Sequence, residues 1–142
     1  MQKILIVNGP NLNLLGQREP TVYGSVSMND FLEELQRDYP QLQITYYQSN
    51  IEGELINCLQ EADGQVAGII LNAGGYSHTS VALHDCIRAI SVPVVEVHIS
   101  NLAQREDFRH VSLIAAACCG SIMGFGMDSY RLAVQYFLLK SC

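Results

Sequence analysis

Charge is scarce in this chain: 15% of its 142 residues are charged, against 49% that are hydrophobic. That balance excludes a disordered segment and fits one globular domain over residues 1–142, long enough to bury a real core. Positive charge is scarcest. Eight Lys and Arg face fourteen Asp and Glu, a net charge of −6. A surface of that sign repels phosphates, so no general nucleic-acid partner is expected, although a local arginine pocket for a small anion stays open. No apolar run reaches membrane-spanning length and no charged-then-apolar leader opens the chain. The expectation is a soluble, cytoplasmic protein without a membrane partner. Repeats, low-complexity tracts and linkers are also missing.

Cysteine is present without a pattern. The five, at 58, 86, 118, 119 and 142, form neither a CxxC pair nor a metal-ligand spacing. No metal is expected from them, and an odd count without a secretory leader suggests reduced thiols. Cys58, Cys86, Cys118 and Cys119 lie among apolar neighbours and read as small core residues.

What is present alternates strand with helix. Ile4–Val7 reads as a first strand. Ser27-x-x-Asp30 resembles a capping box, and Phe31, Leu32 and Leu35 form the stripe of a helix that ends near Tyr39-Pro40. Leu42–Tyr47 alternates as a second strand. A helix over Glu52–Ala62 carries Leu55, Ile56 and Leu59. Val66–Leu71 and Val92–Val97 are the continuous apolar runs of buried parallel strands. Between them, residues 80–90 place Leu83, Cys86, Ile87 and Ile90 at helical spacing. Ser121–Phe125 reads as a fifth strand, and 128–140 as a closing helix with Leu132, Tyr136 and Leu139 on its apolar face. The stretch 110–120 reads as a loop or short helix. This order argues for an α/β domain, a parallel five-stranded sheet with helices on both faces.

The most informative stretch follows the first strand: Asn-Gly-Pro-Asn-Leu-Asn-Leu-Leu-Gly-Gln-Arg-Glu-Pro-Thr-Val-Tyr-Gly, residues 8–24. It is far longer than an ordinary strand-to-helix connection, as lids and binding loops are. Glycines and prolines give it defined bends. Arg18 stands five residues ahead of Tyr23, and a guanidinium favours a phenolate, which can make tyrosine a base near neutral pH. A surface loop whose tyrosine packs on its own stem would show the same spacing.

In an open parallel sheet, ligands bind beyond the carboxyl ends of the strands. The long loop leaves that edge after Asn8. Asn72 leads there into Ala-Gly-Gly-Tyr-Ser-His-Thr-Ser, with His78 before a helix, and the fourth strand ends in Glu96-Val97-His98-Ile99-Ser100-Asn101. Residues i and i+2 of a strand share a face, so Glu96 can bond one imidazole nitrogen of His98, fix its tautomer and leave the other for a ligand. A structural ion pair at a strand end would look the same. The glycine-rich run is neither a Walker A sequence nor GxGxxG, though its backbone donors suit an anion. Arg105, Arg109 and the 99–101 backbone are plausible carboxylate binders. For Arg105 the solvated run Arg-Glu-Asp-Phe-Arg is the preferred reading.

These motifs, with Gln-Ser-Asn-x-Glu-Gly-Glu-Leu-Ile at 48–56, resemble type II 3-dehydroquinate dehydratase over nearly the whole chain, in order. The resemblance implies a flavodoxin-like, doubly wound, three-layer α/β/α fold. It also implies anti elimination of water from 3-dehydroquinate through an enolate to 3-dehydroshikimate, with no cofactor, in the shikimate pathway or in quinate catabolism. By the resemblance Tyr23 is the base at C2, with Arg18 supporting its phenolate. Asn11 stabilises the enolate through a water, and His98, oriented by Glu96, protonates the departing C1 hydroxyl. Asn72, His78, Asp85, Ile99, Ser100 and Arg109 hold the substrate's hydroxyls and carboxylate. The implied assembly is a dodecamer of trimers, with Asp85 reaching a neighbour's site. Three positions depart from the family pattern: His84 for a common arginine, Val111 for a frequent histidine and Ser129 for a glycine. A lysine Schiff base is not expected, because the two lysines, Lys3 and Lys140, sit at the first strand's opening and the last helix's end.

A flavodoxin-like binding module for a flavin or phosphate would use the same sheet edge but favours a shorter loop after the first strand. A response-regulator-like switch would need carboxylates where Asn8-Gly9 stands.

Overall fold

A computed structural model of the chain describes residues 1–16 and 27–140. Five parallel strands, β1 (Gln2–Asn8), β2 (Leu42–Gln48), β3 (Gly68–Asn72), β4 (Val94–His98) and β5 (Gly120–Met123), form one sheet in the order β2-β1-β3-β4-β5. Among the described residues, four α-helices connect or follow them: α1 (Met28–Asp38), α2 (Glu52–Ala62), α3 (Val81–Ala89) and α4 (Asp128–Lys140). The order is that of the flavodoxin-like doubly wound fold, whose strand order reverses between β1 and β3.

Strand alternation divides the core into two layers. Ile4 and Ile6 of β1 point toward α1 and α4, where they meet Phe31, Leu32, Leu35, Tyr130, Val134 and Phe137. Leu5 and Val7 point the other way, into Leu55, Leu59, Leu83, Cys86 and Ile87 of α2 and α3. Burial on both faces explains why the central strands read as unbroken apolar runs. Ser27 caps α1 by accepting the Asp30 N–H at 3.2 Å. Ser80 does the same for α3, from Leu83 N–H at 2.9 Å. Stretch 110–119 contains only a three-residue 3-10 turn, Ala115–Ala117, and β5 starts at Gly120.

Two expectations need correction. The buried face of α4 is Tyr130, Ala133, Val134 and Phe137, whereas Leu132 and Leu139 are 43% and 73% exposed. A Cβ at Gly68 would lie 2.4 Å from the Phe137 ring, so glycine in β3 lets that ring close on the sheet. This close approach, rather than the count of leucines, sets the helix's rotation. Cys119, read as a core thiol, is exposed; Cys58 and Cys118 are half-buried, and among the described cysteines only Cys86 is buried.

Candidate active site

The register places Asn8 of β1 opposite Asn72 of β3 at the carboxyl edge, beside the reversal in strand order. A polar cleft of about 140 Å³ opens there, lined by Asn11, Asn72, His78, His98, Ser100 and Arg109, among others. Three loops reach it: the one after β1, the glycine-rich turn after β3 and the segment after β4.

The β4 wall is built around a buried charge. Glu96 is 0% exposed and His98 5%. Glu96 Oε2 accepts from His98 Nε2 at 2.9 Å and from Ser112 Oγ at 2.5 Å, while its Oε1 accepts from Ser121 Oγ at 2.6 Å. Burial pushes its carboxyl up, but the hydrogen bonds of His98, Ser112 and Ser121, with the His98 charge, outweigh that and hold it below the ordinary carboxylate value. An ionised carboxylate only accepts, so Nε2 carries a proton and Nδ1 is the nitrogen left for a ligand. Ser112 and Ser121 lie 16 and 25 residues from Glu96, a separation that hides their role in the sequence.

His78 stacks near His98, ring centroids 6.2 Å apart. Its Nδ1 donates to the Val111 carbonyl at 2.8 Å, leaving Nε2 for the cleft. Any residue supplies a carbonyl, so the departure at Val111 leaves this support unchanged. Ser129, another departure, is fully buried and its hydroxyl accepts the Phe125 N–H at 3.2 Å.

Asn72 is largely committed to the scaffold. Its Oδ1 accepts Gly74 N–H at 3.2 Å and its Nδ2 donates to Tyr130 OH at 3.0 Å. Tyr130 OH donates in turn to Asn8 Oδ1 at 2.8 Å. One hydroxyl has one proton, so this chain fixes the Asn72 amide's orientation and leaves it one N–H for a ligand. Burial, foremost, raises the Tyr130 phenol far above its ordinary range and keeps it neutral.

Arg105 and Arg109 both line the cleft. Glu106 pairs with Arg109 Nε at 3.2 Å and Arg105 Nε at 3.7 Å, and Arg105 Nη1 donates to Ser100 Oγ at 3.4 Å. The solvated reading of Arg105 is therefore overturned: the turn at Leu102–Gln104 folds its guanidinium back onto the cleft. Two guanidiniums lining one cleft with Ser100 suit a carboxylate, which arginine binds bidentately.

Asn11, Asn72, His78, His98, Ile99, Ser100 and Arg109 thus come together, with Glu96 behind His98. Asp85 does not line the cleft. It lies on α3, 70% exposed, bonded through Oδ1 to His84 Nδ1 at 2.9 Å. Arg18 and Tyr23 lie outside the described residues.

Comparison with known proteins agrees with this geometry. Residues 2–138 match the family model described as dehydroquinase class II. A 3-dehydroquinate dehydratase of Fusobacterium nucleatum is 51% identical over 142 residues, covering 96% of each chain. That of an Exiguobacterium species is 56% identical over 134 residues, covering 94% of this chain and 92% of its own. Among solved structures, the type II dehydroquinase of Butyrivibrio crossotus superposes with a TM-score of 0.93 at 38% identity, covering 96% of this chain and 97% of its own. A buried acid–histidine pair at the carboxyl edge of a flavodoxin-like sheet, with a family match across nearly the whole chain, leads to one assignment: this chain belongs to the class II dehydroquinase family.

Proposed function

We propose that the chain is a 3-dehydroquinate dehydratase of the shikimate pathway, removing water from 3-dehydroquinate by anti elimination through an enolate to give 3-dehydroshikimate. The observation that carries this reading is the Glu96–His98 pair, buried yet facing a cleft with two arginines. His98 is the acid: protonated at Nδ1, with Glu96 offsetting its charge through Nε2, it delivers that proton to the departing C1 hydroxyl. Tyr23 is the base that removes the C2 proton. A guanidinium held about 4 Å from a phenolate is worth on the order of 4 kcal/mol at an effective dielectric of about 20, enough to bring tyrosine's ionisation toward neutral pH. Arg18 has that role.

Asn11 stabilises the enolate oxygen through a water. Ser100, the Ile99 backbone and Arg109 hold the carboxylate, and Asn72 and His78 hold hydroxyls. Exposed Asp85 is lent to a neighbouring subunit's cleft in a dodecamer of trimers, with His84 beside it at the contact. The enzyme works in the cytoplasm without a cofactor.

The test is growth of enone absorbance when 3-dehydroquinate is added. Turnover is expected without added metal or nucleotide and in the presence of chelator. Tyr23→Phe is expected to lose about 10²–10⁴ in rate while the fold survives. No product from the wild type, or wild-type turnover by Tyr23→Phe, overturns the proposal. Light scattering that finds a fully active monomer overturns the shared site.

A further inference from the structure

The geometry points to Asn50 as the positioning residue for Asn11, an inference that rests on the role proposed above for Asn11. Asn11 has φ 69°, and among the described residues it is the one non-glycine in the left-handed region. Asparagine tolerates that region better than most residues, but it stays a minority conformation that the surroundings must hold.

The holding group is the side chain of Asn50, just beyond β2. Its Oδ1 accepts the Asn11 backbone N–H at 2.9 Å. Gln48 Nε2 donates to the same oxygen at 3.1 Å and to the Gly9 carbonyl at 3.1 Å, which ties the acceptor to the loop on either side of Pro10. The Asn50 carbonyl accepts from Tyr76 OH at 3.0 Å, and Tyr76 belongs to the glycine-rich turn after β3. Asn50 therefore joins the two loops that flank the strand-order reversal. It does not line the cleft itself, so it acts on a ligand only through what it holds.

The bonds define what a substitution removes. Without the Oδ1 acceptor, the Asn11 N–H and the Gln48 amide lose their shared partner, and Asn11 can return to ordinary φ. Its side chain then leaves the place from which it meets the enolate. Aspartate at position 50 keeps an acceptor oxygen at the same distance from the backbone.

The experiment is a double-mutant cycle on 3-dehydroquinate turnover with Asn50→Ala, Asn11→Ala and the pair. Asn50→Ala is expected to lower kcat about 10- to 100-fold, as misplacement by an ångström can, with a smaller change in KM. Asn50→Asp is expected to recover most of that loss. In the Asn11→Ala background, Asn50→Ala should cost less than about twofold, since the group it positions is gone. Additive losses, or wild-type kcat in Asn50→Ala, overturn the inference. Should Asn50→Ala not fold, Asn50→Gln moves the acceptor by one carbon and is held to the same non-additivity. A wild type that does not turn over 3-dehydroquinate defeats the functional reading itself. Turnover with additive penalties defeats only the role of Asn50.

Discussion

On the β4 side of the cleft, His98 stands on a central strand, with a buried carboxylate and two serine hydroxyls behind it. On the β1 side, Asn11 stands past the strand's end, in a left-handed turn whose N–H donates a hydrogen bond to the side-chain oxygen of exposed Asn50. Strand backbone positions the first group before any side chain acts, and the carboxylate behind it, Glu96, is fully buried. The second has no such scaffold, so its place depends on individual hydrogen bonds and close backbone contacts that water can compete for. The buried charge of Glu96 sits on the strand wall here, and the amide of Asn11 sits on the loop.

The largest effect expected from breaking this contrast lies on the strand side. His98→Ala should lose about 10²–10⁴ in kcat, as removal of a general acid does, and should also lower thermal stability, because buried Glu96 loses its charged partner. Glu96→Gln should lose less, because the imidazole remains while its offsetting charge is gone. That variant also has a pH signature. The Glu96 carboxyl is held below its ordinary 4.5 in the folded chain. Its contribution to stability is therefore complete above 4.5 and is lost as pH falls through the lower folded value. Urea midpoints measured across that acid window should fall less steeply with pH in Glu96→Gln than in the wild type. Equal slopes would show that the charge of Glu96 is not what the serines hold.

A smaller effect is expected on the loop side, and it reads stability rather than chemistry. A Cβ at Gly9 would lie 2.5 Å from the Ala73 carbonyl oxygen, whereas one at Gly75 meets nothing within 4 Å. Gly9→Ala should cost about 1–3 kcal/mol by overpacking, and Gly75→Ala only about 0.5 kcal/mol or less. Chemical denaturation of the two variants side by side checks this, and equal midpoints would mean that the loop yields freely.

The smallest effect lies just ahead of β5. Burial, with the Glu96 charge behind it and then Cys119, pushes the Cys118 thiol up to about 12. Alkylation at pH 8 should therefore spare Cys118 while modifying exposed Cys119, without loss of turnover. Mass mapping of the labelled peptides checks it, and rapid labelling of Cys118 would show a more open β4–β5 edge.

Much of the fold could be read from local pattern. Ser27 before Phe31, Leu32 and Leu35 specifies a capped amphipathic helix, and Val94, Val95 and Val97 a strand enclosed on both faces, because chain periodicity and backbone capping are properties of neighbouring residues. The Glu96–His98 pair was legible for the same reason: two residues apart on a strand, they share a face. Other features had no local signal. Leu132 and Leu139 turn outward because Phe137 must close over Gly68, 69 residues earlier in sequence. Arg105 reaches the cleft because a short turn folds back on Ser100, so its charge run resembled a solvated surface.

By itself the sequence determined the alternation of elements, the sheet edge to which the polar motifs belong and the acid–histidine pair, since each follows from spacing along one segment. Only the tertiary structure decided which residues support that pair and that edge: Ser112 and Ser121 on Glu96, Tyr130 on Asn72, Asn50 on Asn11. These are hydrogen bonds between segments, and a donor's sequence neighbours carry no record of where its acceptor comes to rest.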